Sequence, residues 1–218
     1  MRPFTYFAYG SNMLTGRLQQ RCGTARVLGP ATAAGYAIQF SKKGRDGSGK
    51  ASIRKTGARG AIVYGVLFEI DVSEKAVLDS FEDHPRGYKR HDSFIVETAD
   101  ARRRLEVSTY IVADNAIDER LKPFDWYLAL IIAGGIQHQL PDDYLKALMK
   151  TECIQDPDHD NRKMAFKLLK TVATGPMRRG GHTNEPAETS QPNLHHMPNV
   201  LAKHAPSTHD PKRASGGR

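Results

Sequence analysis

The sequence predicts an α+β fold, with a small closed or strongly curved sheet flanked by helices and followed by a disordered C-terminal tail. Three observations carry this reading. Strand-like segments fill the first half of the chain, helix-like segments fill the second, and the composition changes near Gly175.

The strands come first. Phe4–Tyr9 is an aromatic run ending at Gly10, and Tyr36–Ser41, Ala51–Arg54, Ala61–Ile70, Phe94–Thr98 and Arg104–Ala113 follow, separated by Gly-rich or charged turns. Their alternation is imperfect, as expected of strands covered on both faces. Two short helices are predicted among them. One runs from about Met13 to Arg21 with Ser11 or Asn12 as N-cap, and one spans 73–82 capped by Ser73. In the second half, Pro123 precedes FDWYLALIIAGG, a helix that Gly134 and Gly135 are expected to stop. Pro141 opens PDDYLKALMK, with Asp142 and Asp143 favourably placed in its first turn, and a last helix runs from about Asp160 to Val172.

The tail, 175–218, holds six of the twelve prolines, five of the nine histidines and no aromatic residue other than those histidines. Such a segment buries too little surface to offset its ordering entropy. The expected organisation is therefore a domain over 1–174 and a basic disordered tail over 175–218. His182, His195, His196, His204 and His209 are read as part of a polar tail rather than as metal ligands.

Composition excludes several function classes. At 39% hydrophobic residues the chain has enough apolar material for a packed core, yet no apolar run approaches the ~18 residues of a membrane span. The N-terminal segment lacks the pattern of a secretory signal. Two cysteines, Cys22 and Cys153, rule out a disulfide framework or a Cys-rich zinc site. A cytoplasmic protein with no cofactor, no metal and no membrane partner is expected. The net charge of +8 divides into +5 over 1–174 and +3 over the tail, with no dense basic block interleaved with aromatics. No specific nucleic-acid partner is expected from that.

Three segments are candidates for chemistry. Gly44–Lys50, GRDGSGK, matches the core of a phosphate-binding loop, but Ala51 stands where Ser or Thr would hold magnesium and no helix pattern follows. It reads as a charged hairpin loop. Tyr6–Met13, YFAYGSNM, reads as strand, turn and helix. Gly10 permits a sharp turn, and free N–H groups there suit a carboxylate or oxyanion; from the residues alone a purely structural turn is the favoured reading. Glu82, in LDSFEDHPRGY, lies at an element's end among apolar residues. It is either a desolvated acid with a raised pKa or a solvated neighbour of Asp79 and Asp83.

Taken together these motifs resemble the γ-glutamylcyclotransferases. YFAYGSNM with Leu18, Arg21 and Cys22 is similar to that family's N-terminal signature. Gly35-Tyr36 with Phe40, VYGVLFEI, LDSFE with Gly87-Tyr88, Tyr110-Ile111, WYLALIIAGG and LPDDYLKAL follow in the family's order over about residues 4–152. The resemblance implies a small mixed β-barrel with helices around it. It implies release of 5-oxoproline and a free amine from a γ-glutamyl-amino acid or γ-glutamyl amide. It places the catalytic glutamate at Glu82, the substrate loop at Tyr6, Phe7, Ala8, Tyr9, Gly10 and Ser11, and a substrate-contacting tyrosine at Tyr127. The YGSN spelling favours γ-glutamyl-α-amino acids, and Trp126 bears on specificity. A non-catalytic binding module of the same fold, or a deprotecting enzyme acting on a larger γ-glutamyl metabolite, are the alternatives. The oligomeric state stays open, a dimer being one option.

Overall fold

The computed structural model describes residues 2–99 and 103–173; the tail expected over 175–218 lies outside the described residues. Among the described residues there are seven strands and five α-helices: β1 (Pro3–Ala8), α1 (Thr15–Gln19), β2 (Arg26–Ala34), β3 (Tyr36–Lys43), β4 (Gly49–Lys55), β5 (Ile62–Asp71), α2 (Lys75–Phe81), β6 (Tyr88–Thr98), β7 (Arg104–Val112), α3 (Asp125–Gln137), α4 (Asp142–Met149) and α5 (His159–Ala173). Five strands close a mixed barrel in the order β1-β5-β2-β6-β7, with β7 parallel to β1 and the other pairings antiparallel. This is the α+β barrel with flanking helices that the sequence predicts.

The barrel closes over aromatic side chains. Phe7 and Phe94 stack at 6.2 Å although β1 and β6 are not neighbours in the barrel, so the contact crosses its interior. Gly65 on β5 makes room for it: a Cβ there would sit 2.6 Å from the Phe7 ring and 2.4 Å from the Ala8 carbonyl. Phe7 and Ala8 are completely buried.

The hairpin β3–β4 stands apart as a two-stranded sheet. It is tied to the rest through Gly49 N–H to the Lys122 carbonyl, Asp118 N–H to the Ser41 carbonyl, and Val112 N–H to Ser52 Oγ.

Several sequence expectations are corrected here. Strand β2 was not foreseen, because RVLGPATAA carries Gly29, Pro30 and small residues that read as a loop. In the barrel it pairs on both sides, with a register shift between Val27 and Gly29 and Gly29 at φ 135°, a β-bulge. The first helix is shorter than 13–21: Ser11–Met13 form a 3-10 turn, and neither Ser11 nor Asn12 caps a helix with its side chain. In the second, Asp71 rather than Ser73 provides the capping carboxylate, accepting from Ser73 N–H at 2.9 Å ahead of a 3-10 turn over Val72–Glu74.

Gly134 and Gly135 do not stop α3, which continues to Gln137. Their lack of a side chain serves packing instead. A Cβ on Gly134 would meet Leu14 N at 2.6 Å and the Met13 carbonyl carbon at 2.8 Å, and one on Gly135 would meet Leu145 at 2.6 Å. The helix thereby lies directly on the backbone of the turn that follows β1.

That close approach yields the first prediction. Gly134→Ala should destabilise by about 1–3 kcal/mol, since the clash is with main chain that cannot rotate away. Gly57→Ala, where nothing lies within 4 Å, should be neutral or slightly stabilising. Paired urea unfolding curves check this; equal midpoints would show that the turn is free to shift.

Candidate active site

The turn after β1, the end of α2 and the start of α3 meet at one end of the barrel around Glu82. Glu82 is the C-cap residue of α2, its N–H bonded to the Leu78 carbonyl. The helix end is fixed by Asp79, whose carboxylate takes the Arg90 guanidinium and, at 2.8 Å, the Tyr110 hydroxyl. Beyond Glu82 the chain turns sharply, with Asp83 in the left-handed region at φ 53° and Gly87 N–H bonded back to the Asp83 carbonyl.

The Glu82 side chain is 14% exposed. One oxygen, Oε1, accepts from Asn12 Nδ2 at 2.9 Å and from Arg21 Nη1 at 3.3 Å. Asn12 also donates to the Tyr6 hydroxyl at 3.2 Å and accepts from Arg21 at 3.0 Å, so it orients acid, cation and phenol together. Arg21 is held over the Phe81 ring, 4.9 Å from its centroid. Burial pushes the Glu82 carboxyl above its ordinary value, and it outweighs the opposing pull of Arg21 and Asn12. The acid is therefore desolvated rather than solvated, the first of the two readings the residues allowed.

A narrow inner pocket beside Glu82 is lined by Tyr6, Tyr9, Gly10, Ser11, Asn12, Ala51, Tyr88, Tyr110 and Tyr127. It shares Ser11, Glu82, Tyr88 and Tyr127 with a wider cavity of about 420 Å³ that opens outward past Arg17, Arg21, Lys42 and Trp126. A larger groove of about 610 Å³ over β2 and β6 has His91 and Asp92 on its walls but not Glu82.

Burial pushes the hydroxyls of Tyr6, Tyr9, Tyr88 and Tyr127 upward, with the Glu82 charge adding to each. They are neutral phenols at physiological pH. Tyr127 accepts from Ala51 N–H at 3.1 Å while Tyr88 donates to the Ala51 carbonyl at 2.6 Å, so two tyrosines hold the main chain of one β4 residue from either side of its Cα. Tyr9 donates to the Tyr110 carbonyl. Tyr6 has no acceptor for its own proton among the described residues, which leaves that donor to the pocket.

Of the residues singled out from the sequence, Glu82, Tyr6, Tyr9, Gly10, Ser11 and Tyr127 come together here. Phe7 and Ala8 do not line the pocket; they are packed inside the barrel. Asn12 was foreseen only as a helix cap. Arg17, Lys42, Tyr88 and Tyr110 were not singled out as site residues, because nothing in their local sequence shows that they converge. Gly44–Lys50 spans the β3–β4 hairpin turn, over 44–48, and the first two residues of β4. Lys50 is held by Asp46 at 2.6 Å and enclosed by Phe124, Trp126 and Tyr127, and the segment continues into a strand, not the helix of a phosphate loop. Among the described residues no three His, Cys, Asp or Glu are grouped to hold a metal ion, and no helix is long and apolar enough to cross a membrane.

The architecture matches solved structures over most of its length. A structure described as γ-glutamyl cyclotransferase superposes with a TM-score of 0.67 at 22% identity, covering 76% of this chain and 99% of the other. The fold is γ-glutamylcyclotransferase-like. An uncharacterized protein from Homo sapiens with this fold superposes with a TM-score of 0.69 at 23% identity, over 78% of this chain and 99% of that one. YkqA from Bacillus subtilis matches at 0.59 and 25% identity, over 69% of this chain and 54% of YkqA. The model of the AIG2-like family matches residues 62–148, a segment that contains Glu82 and Tyr127 of the γ-glutamylcyclotransferase-like barrel. A search of curated proteins by sequence finds no match.

The environment of Glu82 predicts an unusual stability profile. A carboxyl whose folded pKa is raised favours the fold only when protonated. Its penalty is absent below the ordinary 4.5, grows as pH rises toward the folded value, and is constant above it. Glu82→Gln removes the penalty. The melting temperature of the variant relative to the unsubstituted protein should therefore be higher at pH 8 than at pH 4. A variant that loses ground with rising pH would show that the Arg21 pair, not burial, dominates.

Proposed function

We propose that the protein is a γ-glutamylcyclotransferase that converts a γ-glutamyl-amino acid or γ-glutamyl amide to 5-oxoproline and a free amine. The observation that carries this reading is a single buried carboxyl, raised in pKa, at the base of a tyrosine-lined pocket beside the Gly10–Ser11 turn.

The chemistry asks little beyond that. The substrate's own α-amino nitrogen attacks its γ-carbonyl carbon, a C–N bond closes the five-membered ring, and the bond to the leaving nitrogen breaks. Correctly oriented intramolecular attack reaches effective molarities of roughly 10⁵ M or more, so no covalent enzyme nucleophile is required. Glu82 takes the proton from the attacking amine and returns it to the leaving nitrogen. An ordinary glutamate is too acidic for the first step, and burial of Glu82 corrects that mismatch. The Tyr6 hydroxyl and the N–H groups of the Gly10–Ser11 turn are the donors for the carbonyl oxygen as it gains charge and for the α-carboxylate. Asn12 and Arg21 hold Glu82 in place.

The test is 5-oxoproline release from γ-glutamyl-amino acids followed chromatographically. Glu82→Gln should lower kcat by roughly 10²–10⁴-fold while KM changes little, since the amide keeps the shape of the acid but accepts no proton. In the unsubstituted protein kcat/KM should fall on the acid side with a midpoint above 4.5. Near-normal turnover by the variant would remove Glu82 from the role. Absence of 5-oxoproline from every γ-glutamyl substrate would remove the activity.

A further inference from the structure

Five cations line the cavity that opens outward from Glu82, and three of them already have a carboxylate. Arg21 pairs with Glu82 at 3.3 Å, Arg45 with Asp83 at 3.0 Å, and Lys50 with Asp46 at 2.6 Å. Arg17 is bonded to the Ser11 hydroxyl at 3.1 Å, at the turn where the substrate's glutamyl end is expected. Lys42, on β3, is different. It is only 7% exposed, and among the described residues no carboxylate lies within ion-pair distance of its ammonium; Asp83, Glu82 and Asp46 act on it from further away.

Its position is built. The stem passes so close to Gly87 that a Cβ there would meet Lys42 Cε at 3.0 Å, and the ammonium sits 5.3 Å from the centroid of the Tyr88 ring. A stem confined between a glycine and a ring points the charge into the cavity at little further entropic cost. Burial penalises this ammonium, the more distant charges of Asp83 and Glu82 offset only part of the penalty, and a ligand that brings an anion into contact relieves more of it.

We propose that Lys42 is a specificity-determining residue that pairs with a carboxylate on the leaving amine. This rests on the cyclotransferase reading of the same site and adds to it which end of the substrate is selected, and by what. The glutamyl end is common to every substrate of that class, so discrimination has to come from the leaving group. Lys42 favours amines that carry a negative charge, such as α-amino acids, over neutral amines of the same size.

γ-Glutamyl-alanine and γ-glutamyl-ethylamide differ by that one carboxylate and are the probes. The unsubstituted protein should turn over the first with a kcat/KM at least about tenfold higher, the scale of one charge-assisted hydrogen bond. Lys42→Met should reduce this preference to about threefold or less, mainly through KM, and Lys42→Arg should retain most of it. Binding of both probes to Glu82→Gln and to Glu82→Gln/Lys42→Met, measured by calorimetry, repeats the comparison without turnover. Carboxylate preference in binding with no 5-oxoproline released would uphold Lys42 and overturn the cyclotransferase reading. Three results would overturn the role of Lys42: equal handling of both probes by the unsubstituted protein, equal losses on both in the variant, or a displaced pH profile common to both. The last would make Lys42 an electrostatic partner of Glu82 instead. Binding of neither probe would overturn both.

Discussion

The contact between α3 and the turn after β1 is the constraint on which the site depends. Gly134 lets the helix rest on the main chain of Met13 and Leu14. Gly10 lies on the other side of the same turn, where an added Cβ would be 3.4 Å from Ala51 and 3.6 Å from the Tyr127 hydroxyl. The turn is thus compressed between a helix and a hairpin, and its side chains have few directions left. Ser11 and Asn12, which in an open chain would cap a helix, are turned elsewhere: Ser11 Oγ accepts from Arg17, and the Asn12 amide bridges Tyr6, Arg21 and Glu82. Loss of the cap costs roughly 1 kcal/mol of local helix stability. The same two residues now order the polar groups around the acid, and α1 is correspondingly short.

The electrostatics follow from that geometry. A carboxylate in a ring of tyrosines is penalised by desolvation, and its two polar partners offset only part of the penalty. A second buried ion pair lies behind the site, where Arg162 of α5 meets Asp125 of α3 at 3.2 Å. It joins the C-terminal helix to the helix that carries Tyr127. Trp126, next in sequence to Tyr127, donates its indole N–H to Asp156 at 2.7 Å, and Asn161 reaches the cavity wall. Residues 156–162, beyond the point at 152 where the family resemblance ends, therefore pack on the site from outside. Trp126 contributes to that junction as well as to the enclosure of Lys50.

The barrel itself explains why some strands could be read and one could not. β1 and β5 are rich in apolar and aromatic residues and bounded by turn residues, and their role in the core is plain from composition. β2 carries Gly29, Pro30 and then the small residues Ala31, Thr32, Ala33 and Ala34, the pattern of a loop. It is a strand because β5 and β6 present open edges on either side, and those backbone partners exist only once the barrel closes. The glycines of α3 were misread for a related reason. Gly lowers helix propensity by about 1 kcal/mol relative to Ala, which locally argues for a stop. The helix gains more from close packing, of Gly134 against the Met13–Leu14 main chain and of Gly135 against Leu145 and Leu140, than it loses in propensity.

By itself the sequence determined the fold class and the order of most elements, and it marked the motif around Gly10 and the acid at Glu82 as candidates, because these depend on local composition and on motifs contiguous in the chain. It did not determine whether Glu82 was wet or dry, because desolvation is set by Tyr6, Tyr88, Tyr110 and Tyr127, which come from four separate elements. Nor did it separate Phe7 and Ala8, packed within the barrel, from Tyr6 and Tyr9 at its mouth, since that division depends on where β1 ends against β5 and β7. Only the tertiary structure decided which cations around the acid have carboxylate partners and which do not. Burial and pairing are properties of distance, and the residues that set them here lie far apart in the chain, Asn12 being 70 positions from Glu82.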